Sequence, residues 1–387
     1  MPAIRSGVQY SGKWTNAQQM QAIAAGTWPG LFFPSLFTMG QNTFGGLGLG
    51  DDTNRSSPTQ VGALTNWSTV TGYTSGYGTM AVKTDGTLWT WGYNNLGQLG
   101  LGDQTDRSSP VQVGALTTWY KVAGGYLHGM AIKTDGTLWT WGFNSQGQLG
   151  LGNSTAYSSP VQVGALTTWA EIAACNDSSL AIKTDGTLWS WGDGSQGQLG
   201  LGNTIDRNSP VQVGALTTWS KVAGGDKFTL ATTTDGKLYA WGYNSNGQLG
   251  QENITNRSSP VQVGALTTWD NVSAGNAHSL AIKTDGTLWS WGNNIYGQLG
   301  DGSATNRSSP VQVGALTTWS KLAAGDNHTL AVTTDGKLYA VGVNSTGQLG
   351  LGNTTNISNV AQVGSGTSWF EVGAGGNISA VIERIVS

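Results

Sequence analysis

Charge is scarce in this chain. Of 387 residues only 10% are Asp, Glu, Lys or Arg, and 18 basic residues face 21 acidic ones with no basic run among them. Binding a phosphate backbone needs clustered Lys and Arg, so nucleic acid is not an expected partner. Cysteine is nearly absent. The single Cys175 has no intrachain mate and sits where other copies of its segment carry Gly, so it is expected as a small buried hydrophobe. No apolar run reaches the length that spans a bilayer, and membrane insertion is not expected. "MPAIRSGVQYSGKW" lacks the apolar stretch of a signal peptide. Without a secretion signal, sequons such as Asn327-His328-Thr329 read as chance products of an Asn/Ser/Thr-rich chain.

Glycine (60 residues) and tryptophan (18) are abundant instead, and they recur in order. "GALTTW" ends at Trp119, Trp169, Trp219, Trp269 and Trp319, with variants ending at Trp67 and Trp369. The step is 50 residues from Trp119 onward and 52 from Trp67 to Trp119, where "TVTGYTSGYGTM" carries two extra residues. "GGLG" at Gly45 and "GQLG" at Gly97, Gly147, Gly197, Gly247, Gly297 and Gly347 keep the same time. A period near 50 in a Gly- and Trp-rich chain points to a propeller or solenoid.

Each repeat holds four short β-type segments bounded by turn residues, for example "YKVAG", "GMAIK", "TLWTWG" and "PVQVG". Seven units of four strands predict an all-β, seven-bladed β-propeller of antiparallel blades. Asp-Gly in "KTDGT" supplies a tight hairpin turn, which sets the phase: a blade reads "WYKVAGG", "HGMAIK", "TLWTWG", "PVQVG". The chain then starts in mid-blade. Residues 36–62 bring two strands, "WFEVGAGG" and "ISAVIERIV" bring two more, and a composite N-/C-terminal blade closes the ring. The repeating Trp residues are expected in the core between blades. Residues 36–387 form one domain on this reading, and residues 1–35 form an arm with one short helix over Thr15 to Gly26.

"LWTWGYNNLGQLGLGD…SSPVQV…VAGGYLHGMAIKTDG" resembles the regulator of chromosome condensation repeat, and the likeness runs over residues 36–387. The resemblance implies a seven-bladed propeller. The family includes an exchange factor for a nuclear GTPase, ubiquitin-ligase modules and a bacterial β-lactamase inhibitor, which share protein binding by one face of the ring. The exchange role is not expected here: the chain has no wedge-like insertion and no basic tail.

In an antiparallel blade successive connections alternate between the two faces of the disc. The second ("KTDGT" or "TTDGK") and fourth ("GALTT") connections barely change among the copies. The first and third do change, and they share a face. A rigid ring carrying varied, aromatic-containing loops has the composition of a recognition surface. The candidates for partner contact are Tyr93, Tyr126, His128, Phe143, Tyr157, Lys227, Phe228, Tyr243, His278, Tyr296 and His328. Drift of loops in recently duplicated repeats is the competing account of the same variation.

Enzyme chemistry finds little support. The three His occupy equivalent positions in different blades, with Ser178 and Phe228 at the same place elsewhere. No metal site is expected from them. "GQLGLGD" lacks the Lys and the following helix of a phosphate loop, and its glycines suggest a tight turn near the central channel. "DQTDR" and "DGSATN" do not have the EF-hand spacing. No Gly-X-Ser-X-Gly elbow occurs. No catalytic residue and no cofactor are assigned.

"VQYSGKWTNAQQMQAIAAGTWPG" resembles the segment that precedes such repeats in predicted tail and virion proteins of tailed bacteriophages. The expected function is therefore a binding propeller of a phage virion or tail, structural or for host attachment. Its arm would serve as anchor or as a route to homo-oligomers, and its varied face would bind a virion neighbour or a host surface component. The alternative is a free bacterial binding module or inhibitor, cytoplasmic or extracellular.

Overall fold

The computed structural model describes residues 32–74 and 77–386. The helix expected over Thr15 to Gly26 lies outside them. Seven four-stranded antiparallel sheets follow one another around a ring. Blade 1 is built, from the channel outward, of Trp67–Gly72, Gly78–Lys83, Leu88–Gly92 and Arg107–Gln112. Blade 2 (Trp119–Gly124, His128–Lys133, Leu138–Gly142, Tyr157–Gln162) repeats it. Blades 3, 4, 5 and 6 open at Trp169, Trp219, Trp269 and Trp319. Blade 7 is composite: Trp369–Gly375 and Ile378–Val386 from one end of the chain, Phe32–Gly40 and Arg55–Thr65 from the other. The closing pair is continuous, from Phe32↔Val386 to Gly40↔Ile378. The phase read from the Asp-Gly turns is the observed one. Strand Phe32–Gly40 begins four residues before the expected domain start, so residues 32–35 belong to the sheet.

The repeating Trp residues fill the space between blades, as expected. Trp119 meets Trp139 and Trp141 edge-on at centroid distances of 6.1 and 6.3 Å, and equivalent pairs recur around the ring. Four blades add a lysine: Lys133 Nζ lies 3.6 Å from the Trp139 ring centroid and 4.8 Å from that of Trp119. Burial lowers the pKa of this ammonium, with Asp135 opposing.

Two versions of the second connection each satisfy their own aspartate. In "KTDGTLW", Asp135 Oδ1 accepts from the Thr137 N–H and hydroxyl, and that hydroxyl accepts from Trp139 Nε1. In "TTDGKLY", Thr233 takes over the hydroxyl contact to Asp235, and Lys237 pairs with the same carboxylate at 2.8 Å. Lysine, threonine and the aromatic change together because they share one carboxylate and one ring stack.

Contact with the next repeat holds this face constant. The Trp119 N–H donates to Gly86 O, and the Thr134 N–H donates to Thr118 O. Gly136 has φ +77°, and a Cβ there would stand 2.2 Å from Thr167 O. Gly136→Ala is expected to destabilise the ring by about 1–3 kcal/mol, read as a lower urea midpoint; an unchanged midpoint would sink the close-packing account.

The "GQLG" segments are not beside the channel, contrary to expectation. A Cβ on Gly97 would stand 2.6 Å from Ser158 Cα in the outermost strand of the next blade. The Gln148 carbonyl accepts from Ser179 Oγ at 2.8 Å and from Trp191 Nε1 at 2.9 Å. These glycines let one blade's loop reach into the next blade, where its backbone carbonyl replaces water for buried donors.

Candidate functional site

The varied first and third connections do share a face. The Phe143 N–H, opening the third connection of blade 2, donates to Leu127 O in the first. Around the channel the first connections join blade to blade. Thr74 donates its N–H to Gly125 O, Tyr126 to Asn176, Asn176 to Asp226, Asp226 to Asn276, Asn276 to Asp326 and Asp326 to Gly376, at 2.8–3.4 Å. The third connections are braced internally. Buried Asn94 accepts the Leu99 N–H on Oδ1 and donates from Nδ2 to Asp103 O and Thr105 O. Loops held this way present their outer side chains with little ordering cost on binding.

Four expected contact residues are not on the surface. His128, His278, His328 and Phe228 are 0% exposed. Each side chain turns inward beneath its own first connection, where a glycine makes room: a Cβ on Gly125 would stand 2.1 Å from His128 Cε1, and on Gly225 2.0 Å from Phe228 Cε1. Size is exchanged between the two positions around the ring: Gly125/His128, Gly225/Phe228, Gly275/His278 and Gly325/His328, but Cys175/Ser178 and Tyr73/Gly78. That reciprocity is a packing signal present in the sequence. Cys175 is fully buried, as expected, and burial pushes its thiol up to about 11.

The buried histidines sit against hydroxyls, His128 Nε2 being 3.0 Å from Ser179 Oγ and His328 Nε2 2.8 Å from Ser379 Oγ. The proton runs the wrong way for an activated nucleophile. Each hydroxyl donates to a carbonyl, Gln148 O or Gln348 O. The hydroxyl must then accept from an Nε2–H. Among the described residues no three His, Cys, Asp or Glu side chains are grouped to hold a metal ion.

The other candidates reach solvent to different degrees. Tyr126 and Tyr296 are exposed, at 40% and 44%, while Tyr93, Phe143, Tyr157, Lys227 and Tyr243 are half-buried. Tyr93 packs with Phe44 and Tyr77 at centroid distances of 4.6 and 5.9 Å, in a cluster that spans the closure between blades 7 and 1. Tyr157 lines a groove of about 560 Å³ between blades 2 and 3, with Leu166, Trp169 and Trp189.

Three isoleucines escaped the sequence reading. Ile205, Ile254 and Ile295 are 59%, 65% and 56% exposed, in the third connections of blades 3, 4 and 5. Amide side chains stitch these loops together: Asn256 Nδ2 donates to Gln196 Oε1 at 3.0 Å and Asn306 Nδ2 to Asn246 Oδ1 at 3.1 Å. The available signal was a β-branched apolar residue in a turn where sister copies carry polar residues or Ala, such as Thr105, Gln104, Ala304 and Asn95.

Family comparison agrees with the geometry. A model described as the regulator of chromosome condensation (RCC1) repeat matches residues 35–82, 85–132, 135–182, 185–232, 235–282, 285–332 and 335–382. The chain belongs to this family. Its similarity to curated RCC1-repeat relatives is partial: 37% identity over 103 residues with the ultraviolet-B receptor UVR8 of Arabidopsis thaliana, covering 26% of this chain and 23% of that one. With the human probable E3 ubiquitin-protein ligase HERC3 it is 36% identical over 107 residues, 27% of this chain and 10% of the other. The chain thus matches under a quarter of either relative's length. Among solved structures, Prp20p of Saccharomyces cerevisiae, described with its binding to Gsp1p and histones, superposes with a TM-score of 0.81 at 22% identity, over 92% of this chain and 93% of that one.

On the opposite face of this RCC1-repeat ring the channel opens into a funnel of about 510 Å³. One position of the innermost strand lines it with Thr69, Lys121, Glu171, Lys221, Asn271, Lys321 and Glu371. Glu171 accepts from Lys121 at 2.6 Å and Lys221 at 3.2 Å; Lys321 and Glu371 pair at 3.2 Å. Burial raises the Glu371 carboxyl, with Lys321 opposing. Leu64, Leu116, Leu166, Leu216, Leu266 and Leu316 are exposed at one repeated position on this face.

Proposed function

We propose that the chain is a non-enzymatic protein-binding propeller that engages its partner through the face formed by the first and third connections. The observation that carries this is the set of large apolar side chains exposed there at positions that differ from blade to blade: Tyr126, Ile205, Ile254, Ile295 and Tyr296. Exposed apolar residues on a rigid, varied surface are contact anchors. The opposite face carries one repeated leucine, the exposed Tyr120 and the charged funnel, and its exposed apolar side chains differ less from blade to blade. We further infer a place in a tailed-phage virion, attached through residues 1–35. Support for that context is the resemblance of Val8 to Gly30 to segments of tail and virion proteins. Protein partners of the similar Prp20p are consistent with a binding role and name no partner for this chain.

The virion reading predicts that the native protein sediments with phage particles and that a chain lacking residues 1–31 folds but is left out of them. A truncated chain that is still incorporated overturns the anchor. A protein absent from particles leaves the free bacterial binding module as the reading.

A further inference from the structure

The charged funnel is blind. At the far end of the channel the turns that carry Asn176, Asp226, Asn276 and Asp326 leave only about 10 Å³ between them. The funnel itself encloses about 510 Å³, the size of a small-molecule pocket. Its wall has three levels, because each innermost strand starts at the mouth and runs inward. Asp270 and Ser320 stand at the rim, the ring of lysines and glutamates comes next, and Val122, Ile172, Val222 and Val272 lie one residue deeper. Within the ring, blade 3 places Glu171 between Lys121 and Lys221, and its carboxylate takes both ammoniums, at 2.6 and 3.2 Å. Blade 5 stands between Lys221 and Lys321 in the same way, but there the residue is Asn271.

Asn271 does not do for its neighbours what Glu171 does. It carries no charge, and its Oδ1 accepts the Val272 N–H at 3.0 Å. What remains of the amide is Nδ2, a donor. The lysines on either side are the accessible ones of the ring. The side chains of Lys221 and Lys321 are 46% and 43% exposed, against 27% for Lys121, whose Nζ also donates to Ala170 O at 2.8 Å. Lys221 pairs with Glu171 and Lys321 with Glu371, each on the side away from blade 5. An ammonium has three donors, so both keep capacity toward blade 5. Three donor groups thus stand on consecutive blades, and the ring places no carboxylate between them. Asp270, the carboxylate next to Asn271 in the chain, is exposed at the rim. Burial raises the Glu371 carboxyl, a shift toward the neutral acid that weakens its offset of Lys321.

We propose that the funnel is a binding site for a small organic anion. Its carboxylate or phosphate group sits between Lys221 and Lys321, as the Glu171 carboxylate sits between Lys121 and Lys221, and its apolar part lies on Val222 and Val272. The chain itself supplies the template for the contact at blade 3 and omits the anion at blade 5. Charge-assisted hydrogen bonds are the stronger kind, and a pocket closed at one end screens them less than open solvent does. The site is separate from the protein-binding face, which lies on the other side of the ring.

Titration calorimetry of the full-length protein with hexanoate, hexyl phosphate, inorganic phosphate and hexylamine tests it. Hexanoate or hexyl phosphate should bind saturably, with a Kd of about 1 mM or tighter, and comparing the two tells a carboxylate head group from a phosphate. K221M/K321M should weaken that binding about tenfold or more. N271E builds the missing carboxylate into the chain, so it should abolish binding and raise the urea midpoint. D270N removes the rim carboxylate and should leave binding unchanged or tighter. Circular dichroism and urea midpoints confirm that each variant is folded. A ring that only staples the innermost strands would shift its urea midpoint in these variants and bind no anion. No saturable binding of either organic anion overturns the site, as does binding indifferent to both N271E and K221M/K321M. Hexylamine binding that D270N removes overturns the anion in favour of a cation. Inorganic phosphate binding as tightly as hexyl phosphate overturns the apolar contact.

Discussion

A chain that ends at Asn377 does not unfold cooperatively. Its missing strand, Ile378–Val386, pairs with Trp369–Gly375 on one side and with Phe32–Gly40 on the other. Its side chains enter two cores. Val381 packs with Leu330, Val363 and Trp369 toward blade 6, while Ala380 and Ile382 pack with Trp67, Val70 and Trp91 toward blade 1. Ile378, Val381 and Ile382 are 0–1% exposed. Losing three such side chains removes about 5–9 kcal/mol of burial, comparable to the whole stability of a domain. It also opens strand edges on both sides of the gap. Tryptophan fluorescence in urea should show a broad, shallow change in place of a sharp transition. A circular permutant that joins the natural ends through a linker and is cut in the 143–156 connection should melt like the parent, because every strand keeps its neighbours. A truncated chain with a near-normal melt would refute closure as the source of cooperativity.

Acid should weaken the protein through its histidines. Burial holds His128 and His328 at a pKa of about 3 and His278 at about 4; His278 adds to the lowering at His328, and a backbone hydrogen bond with Asp326 opposes it at His278. An unfolded histidine titrates near 6.5. Between those values the unfolded chain binds more protons than the folded one, so stability falls as the pH drops from about 7 toward 4. Each unit of depression corresponds to about 1.4 kcal/mol, so the three together carry several kcal/mol. Asp326 works in the opposite sense. Its folded pKa of about 7 lies above the unfolded value, so it adds stability as the pH falls through 7. Asp177, Asp226 and Glu371 act in the same direction as Asp326. The difference between the parent and an H128F/H278F/H328F variant isolates the histidines, and Phe228 shows that a ring of that size fits the site. The parent should lose several kcal/mol relative to the variant between pH 7 and pH 4, from urea midpoints at each pH. Parallel pH profiles would refute the linkage.

Where the sequence reading failed, the residues show why. Variation was taken as exposure at His128, Phe228, His278 and His328. Sequence variation between copies has two physical sources, freedom at the surface and compensated packing inside. Only the second carries the reciprocal glycine three residues upstream, and Cys175 with Ser178 is its mirror image. The constant connections had an interior reason as well: Gly136 is pressed against Thr167 O of the following "GALTT". The isoleucine arc was overlooked because Ile205 and Ile254 sit one position apart in their loops, so no aligned column displays them.

Period, blade number, blade phase and the composite closure were determined by the sequence alone. They depend on local chemistry: the Asp-Gly hairpin, alternating strand residues, and the mid-blade start and stop. Tertiary structure alone decided which varied side chains point outward, which carboxylates crowd the channel mouth, and that a charged funnel opens opposite. Those properties belong to contacts between residues about 50 positions apart, such as His128 with Ser179 or Lys121 with Glu171. Burial and charge pairing at such positions are set by the neighbouring blade, and a repeat read by itself does not contain them.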